Sequence, residues 1–142
     1  MTDRDSLLKD WDPSGDRYLR RIRPQDLVAA HDLGRWRPQT GCFCNDSVDE
    51  GMSVYSVELL RRLGLDTEVV LIQYPNHFYV EIPASLLTDD EQDLTAILGD
   101  DVSDPCREAH VEVKGKKGKK LQKQLRLLQV LGNPLPSWPP ET

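Results

Sequence analysis

Thr67 to Pro83, TEVVLIQYPNHFYVEIP, decides the fold, because two β-rich runs meet in it at the breaker pair Pro75-Asn76. In the second run Phe78, Val80 and Ile82 alternate with His77, Tyr79 and Glu81, the period of a strand that buries one face and leaves the other polar. The first run does not alternate. Val69, Val70, Leu71 and Ile72 are consecutive, the pattern of a central strand covered on both faces. The stretch therefore predicts a hairpin over 67–83, with helices packed on the sheet around it.

Working outward, RYLRRIR (Arg17 to Arg23) reads as a first strand, and Pro24 suits the first turn of a helix through Leu27, Val28 and Leu33 that Gly34 ends. Gly34 to Gly51 is loop-like around a short CFC segment that reads as a strand, the natural place for a functional loop. Met52 to Tyr55 is a further strand, and Ser56 is a candidate N-cap for a helix over Val57 to Leu63. Thr88 and Glu91 have capping-box spacing, predicting a helix through Leu94, Ile97 and Leu98. Ala109 to Val113 alternates as a strand, and Leu121, Leu125, Leu128 and Leu131 follow helical spacing up to Gly132.

Together these elements predict an α+β fold: one domain with a mostly antiparallel sheet of about four or five strands around the 67–83 hairpin, and three or four helices. Residues 1–16 read as a flexible arm, 17–132 as the domain, and 133–142, with Pro134, Pro136, Pro139 and Pro140, as an extended tail. A chain of 142 residues is long enough for one core. The longest apolar run, Val69 to Ile72, is far too short to cross a bilayer, and the first residues, MTDRDSLLKDWDPSGDR, do not resemble a secretory signal. With three cysteines, an odd number, free thiols and a cytoplasmic location are expected.

Charge is segregated. From Pro24 to Ala109 there are 5 Lys or Arg against 17 Asp or Glu; from His110 to Thr142 the count is 7 against 2. An acidic body repels nucleic acid and anionic membrane, while the C-terminal region attracts polyanions or an acidic protein. Its cationic centre is KGKKGKK, with Lys114, Lys116, Lys117, Lys119 and Lys120. This is no phosphate-binding P-loop, which needs GxxxxGK followed by Ser or Thr. As a flexible cationic loop it grips backbone phosphates without reading sequence, or is simply solvated. No specific nucleic-acid readout is indicated.

Two further groups of residues bear on chemistry. Cys42, Cys44, Cys106 and His110 are the donor types of a structural zinc, but one residue between Cys42 and Cys44, rather than two, argues for small buried side chains instead, and no cofactor is expected. On the polar strand faces, His77, Tyr79, Glu81, His110 and Glu112 meet if the hairpin and the AHVEV strand are neighbours, with an arginine of the first strand, Arg20, Arg21 or Arg23, beside them. Imidazole beside carboxylate is the raw material of acid-base chemistry near neutral pH, and such alternating faces are also ordinary solvated surface.

Two functions follow. The leading expectation is a binding or accessory protein whose acidic body and cationic C-terminal segment dock a protein or polyanionic partner. Its rival is a small enzyme acting on a phosphorylated or nucleotide-like substrate through His110, His77, Glu81, Glu112 and Arg21. Side chains spread on open solvent favour the first, and a concave pocket gathering them favours the second.

Overall fold

The computed structural model describes residues 3–47 and 50–140. In chain order its helices are α1 (Asp3–Leu8), α2 (Val57–Arg62), α3 (Ala84–Thr88) and α4 (Lys119–Leu125). Its strands are β1 (Arg17–Ile22), β2 (Leu27–Ala30), β3 (Arg35–Pro38), β4 (Met52–Ser56), β5 (Phe78–Pro83), β6 (Asp93–Ala96), β7 (His110–Lys114) and β8 (Leu131–Gly132). Six strands form one sheet in the order β6-β7-β4-β1-β5-β8, every neighbouring pair antiparallel, and β2 with β3 form a separate ribbon. The chain is an α+β single domain. Among the described residues no helix is long and apolar enough to cross a membrane.

Both faces of the sheet are covered, because consecutive residues are buried on its central strands: Tyr18 with Leu19 on β1, Val54 with Tyr55 on β4, and Tyr79 with Val80 on β5. α2 lies against β1, β4 and the turn Arg107–Ala109, while α4 lies against α3 and the turn Thr40–Phe43, whose Phe43 is fully buried. Ser56 caps α2 as its sequence implies, its hydroxyl accepting from Leu59 N at 2.9 Å, and Gly64 ends that region at φ +74°, in the left-handed range. Asp16, nearly buried, ties the start of β1 to this cap by accepting from the Ser56 hydroxyl and from Glu58 N.

The strands read at Arg17, Met52 and His110 are present, but several elements differ from the sequence reading. The first arm of the expected 67–83 hairpin is a 3-10 turn, Thr67–Leu71. Both edges of β5 are taken, by β1 through six residue pairs and by β8, so the apolar run covers a face instead of joining the ladder. Val70 and Leu71 turn inward while Ile72 is 67% exposed, and a side chain at Gly132 would strike Leu71 Cδ1 at 2.7 Å.

The expected helix after Pro24 is a single 3-10 turn, Pro24–Asp26, followed by the β2–β3 hairpin. Its turn, His31-Asp32-Leu33-Gly34, ends on Gly34 at φ +67°, which glycine adopts without strain. The CFC segment is likewise a 3-10 turn, Thr40–Phe43. The helix expected after Thr88 is instead α3 ending at Thr88, and Leu94 lies on strand β6 opposite Val113. Burial along β6 alternates, so period two overrode the capping-box spacing. The leucine helix stops at Leu125; Leu121 and Leu125 are fully buried, whereas Leu131 pairs with Tyr79 in β8.

The ends of the described chain make specific contacts. From α1, Arg4 donates to the carbonyls of Glu108 and Ile97 at 2.5 and 2.9 Å. In the tail, Trp138 lies edge-on to Trp36 with ring centroids 5.8 Å apart, and Trp36 Nε1 donates to Pro136 O at 3.0 Å.

Candidate functional site: a cleft where two strands part

β1 is paired with β5 along its whole length, from Arg17 opposite Pro83 to Ile22 opposite Phe78, but with β4 only at Tyr18 opposite Ser56 and Leu19 opposite Tyr55. Beyond Leu19 the β1–β4 ladder stops. The guanidinium of Arg20 spans the gap, its Nη1 donating to Ser53 O at 2.7 Å and its Nε to Cys42 O at 3.1 Å. These bonds give partners to one carbonyl of β4 and one of the turn Thr40–Phe43, as partly buried backbone requires. The parting opens a cleft of about 540 Å³, with Arg21, Ser53, Tyr55, Tyr74, Asp104 and His110 among its walls.

Register explains why these side chains meet. Tyr55 on β4 is opposite His110 on β7, and Ser53 is two residues back on the same face, so the imidazole stands between them. Ring centroids of Tyr55 and His110 are 4.4 Å apart, nearly edge to face. His110 Nδ1 is 3.2 Å from Ser53 Oγ, and Nε2 is 3.0 Å from Asp104 Oδ2. Asp104 comes from the loop before β7. Its Oδ1 accepts from Cys106 N at 2.8 Å, and its Oδ2 also accepts from the Tyr55 hydroxyl at 3.3 Å.

A carboxylate can only accept here, so Asp104 holds the His110 proton on Nε2 and leaves Nδ1 as an acceptor for the serine hydroxyl. Gly99 makes room for this arrangement: a Cβ there would sit 3.0 Å from His110 Cδ2 and 3.1 Å from Nε2. Burial, reinforced by the Asp104 charge, pushes the Tyr55 phenol up to about 12, so it remains a neutral donor at neutral pH. Burial together with Asp104 likewise raises the Cys106 thiol to about 12.

Three arginines border the cleft, and two are matched by carboxylates. Arg20 is 3.6 Å from Asp46, and Arg23 Nε is 2.8 Å from Asp26, which also accepts from Gln39 Nε2 at 2.6 Å. Arg21 differs. Its guanidinium carbon lies 3.6 Å over the Tyr74 ring, and Nη1 is 3.4 Å from the Tyr55 hydroxyl.

Of the residues singled out from sequence, His110 and Arg21 are thus brought into one cleft. His77 and Glu81 do not join them, because β4 and β1 lie between β7 and β5, whereas Glu112, on β7 opposite Ser53, lies outside this cleft but lines a smaller adjoining hollow with Ser53 and His110. Glu81 pairs with Arg17 at 3.0 Å and Glu112 with Lys114 at 3.3 Å. His77 stacks obliquely near Tyr74 with ring centroids 5.0 Å apart, and its buried Nδ1 has no hydrogen-bond partner among the described residues. Burial, with Arg21 and Arg23 adding repulsion, lowers its basicity.

Cys42, Cys44 and His110 border the cleft, but among the described residues no three His, Cys, Asp or Glu side chains converge on a point where a metal would sit. The Cys42 thiol is pushed up to about 11 by burial and by Asp26, so it stands as a neutral thiol at neutral pH.

Of the lysines, Lys117 is turned inward, Nζ donating to Asn45 Oδ1 at 2.6 Å and to the carbonyls of Val113 and Gly115 at 2.5 and 2.9 Å. Lys114, Lys116, Lys119 and Lys120 are exposed.

Ser53, Tyr55 and Asp104 escaped the sequence reading. MSVYS does place Ser53 and Tyr55 on one strand face, but nothing local says that β7 is its neighbour. No family model matches the chain, and neither a curated protein nor a solved structure matches it.

Proposed function

We propose that this cleft is the active site of a small hydrolase of ester-type substrates, with Ser53 as nucleophile, His110 as general base and Asp104 as the group that orients it. The observation that carries this reading is the continuous hydrogen-bonded chain Ser53–His110–Asp104 inside a concave pocket. That combination of nucleophile, base and orienting carboxylate is recognised by geometry and role rather than by sequence position.

In the first step Ser53 Oγ attacks the substrate carbonyl carbon as its proton passes to His110 Nδ1. The tetrahedral intermediate collapses with cleavage of the carbon to leaving-oxygen bond, and His110 returns the proton to the departing alkoxide. Water, deprotonated by the same imidazole, then attacks the acyl-serine, releasing the carboxylic acid and restoring Ser53. Asp104 supports the imidazolium formed in each half without taking its proton.

The test is covalent labelling with a fluorophosphonate, followed by peptide mass spectrometry. We expect the adduct on Ser53, with labelling strongly slowed in a folded His110→Ala variant. Absence of a Ser53 adduct, or equal labelling in the variant, sinks the reading.

A second reading, a docking module for a polyanion or acidic partner, is favoured by one observation. Among the described residues Lys116, Lys119 and Lys120 are exposed and take part in no ion pair. Each phosphate neutralised contributes about 0.9 to the slope of log affinity against log salt. Replacing Lys116, Lys119 and Lys120 by Gln then flattens the slope for heparin. Lack of heparin binding by the wild type at low salt refutes it.

A further inference from the structure

We infer that Arg21 is an oxyanion subsite of the cleft, seating a carboxylate or phosphate group carried by the substrate a short distance from the bond that Ser53 attacks. The inference rests on the cleft being the substrate site, and goes beyond it to substrate class. Its first support is a donor count. A guanidinium has five N–H donors in a planar fork, and among the described residues Arg21 spends one of them, on a 3.4 Å contact to a phenol. Among the described residues no carboxylate lies within ion-pair distance of it, although it is partly buried. A half-desolvated cation with idle donors opening on a cleft is matched by an oxyanion, which takes two parallel N–H bonds.

Its second support is that the competing carboxylates are occupied. Asp46 faces Arg20, Asp26 is held by Arg23 and Gln39, and Asp104 by His110, Tyr55 and Cys106 N. Asp101 accepts from the backbone N–H and hydroxyl of Ser103 at 2.9 and 2.6 Å, and Asp100 is exposed at the rim. The Tyr55 hydroxyl separates Arg21 from Asp104, with 3.4 Å on one side and 3.3 Å on the other. Packing against Tyr74 fixes the guanidinium plane, so little side-chain freedom remains to be lost when an anion docks.

Register supplies the spacing. Leu19 is opposite Tyr55, so a continued ladder would set Arg21 opposite Ser53, and the strands have parted there. The two backbones therefore stand more than one paired-strand spacing apart, about 5 Å or more, which sets a group seated at Arg21 apart from the bond that Ser53 attacks. A linker of two or three carbons, as in a hemisuccinate monoester, bridges such a distance, whereas a simple acetate ester leaves Arg21 unused.

Two measurements test this. In the first, wild-type protein and Arg21→Gln and Arg21→Lys variants are titrated with succinate and, separately, with inorganic phosphate, following the arginine Nε–H and His110 signals by NMR. We expect saturable shifts in the wild type, loss in Arg21→Gln and partial retention in Arg21→Lys. The two anions distinguish a carboxylate from a phosphate preference. Binding of both weaker than about 10 mM in the wild type, or undiminished binding by folded Arg21→Gln, overturns the inference.

In the second, kcat/KM of the wild type is compared for p-nitrophenyl acetate and mono-p-nitrophenyl succinate. A preference of about 10- to 100-fold for the succinate monoester is expected, the range that one charge-assisted contact supplies, and no preference overturns the inference. The binding measurement needs no turnover. Anion binding at Arg21 without a fluorophosphonate adduct on Ser53 thus removes the hydrolase and leaves the subsite, and the converse removes only the subsite.

Discussion

Asp104→Asn isolates the group on which the orientation of His110 depends, and its consequence is visible without knowing a substrate. In the wild type, Asp104 Oδ2 accepts from His110 Nε2 at 3.0 Å and from the Tyr55 hydroxyl at 3.3 Å, while Oδ1 accepts from Cys106 N at 2.8 Å. An asparagine oxygen kept on Cys106 N places the amide NH2 where Oδ2 was, turning an acceptor into a donor. Nε2 must then give up its proton, which moves to Nδ1 and faces the Ser53 hydroxyl 3.2 Å away. Hydrogen bonds to a charged group contribute about 1.5 to 3 kcal/mol and neutral ones about 0.5 to 1.5. With three bonds losing their charge assistance at a carboxyl that is 13% exposed, the expected loss of stability is about 3 kcal/mol. Removal of the serine acceptor lowers turnover by about 10⁴-fold, the effect of a reversed tautomer in a nucleophile–base pair. Long-range nitrogen–proton NMR reads the tautomer directly. We expect Nε2–H in the wild type and Nδ1–H in the variant. The same tautomer in both, or Nδ1–H in the wild type, refutes the orienting role of Asp104.

Two further outcomes concern the scaffold. Leu125 is fully buried on α4, so Leu125→Ala costs about 2 to 5 kcal/mol, while Leu128→Ala, beyond the helix and partly exposed, costs clearly less; equal urea midpoints for the two variants contradict this packing. The fold holds His77 below the usual imidazole range, chiefly by burial, so the unfolded chain binds that proton more readily. Stability from this group is complete above about pH 6.5 and is lost as pH falls below it, and His77→Phe reduces the acid-side decline. Identical stability slopes between about pH 7 and 5 for wild type and variant rule this out.

What the sequence makes legible here is whatever a single strand or cap records. AHVEV carries its alternation within five residues, RYLRRIR and MSVYS are short runs marked off by Gly15, Pro24 and Gly51, and Ser56 carries its helix start in one side chain. The run Val69 to Ile72 has the same composition as a central strand, yet its role is set by how many strand edges remain free when it reaches the sheet. With β1 and β8 on either side of β5, none does. Context overrides β-propensity in such a case. The same holds for Leu94, whose place on β6 depends on Val113 of β7, nineteen residues later in the chain, offering an edge.

The site is less legible than the fold for a related reason. His110 and Arg21 stand out by type, but their partners are ordinary residues whose meaning comes from register. A shift of β4 by one residue against β7 would turn Ser53 and Tyr55 to the opposite face and dissolve the hydrogen-bonded chain, while leaving composition and alternation intact. The cleft itself arises from a ladder that stops two pairs after it begins, with Arg20 closing the break. Arg20 does this because a long side chain with a forked donor can reach the Ser53 carbonyl on β4 and the Cys42 carbonyl of the neighbouring turn together. The same parting that requires Arg20 inside the sheet leaves Arg21, its neighbour on the other face, facing open space with donors to spare. Structure and candidate chemistry therefore share one origin, the early end of the β1–β4 pairing. A variant that restored that pairing, by removing the Arg20 side chain and letting the strands close, is expected to fill the cleft and silence both Ser53 and Arg21 together.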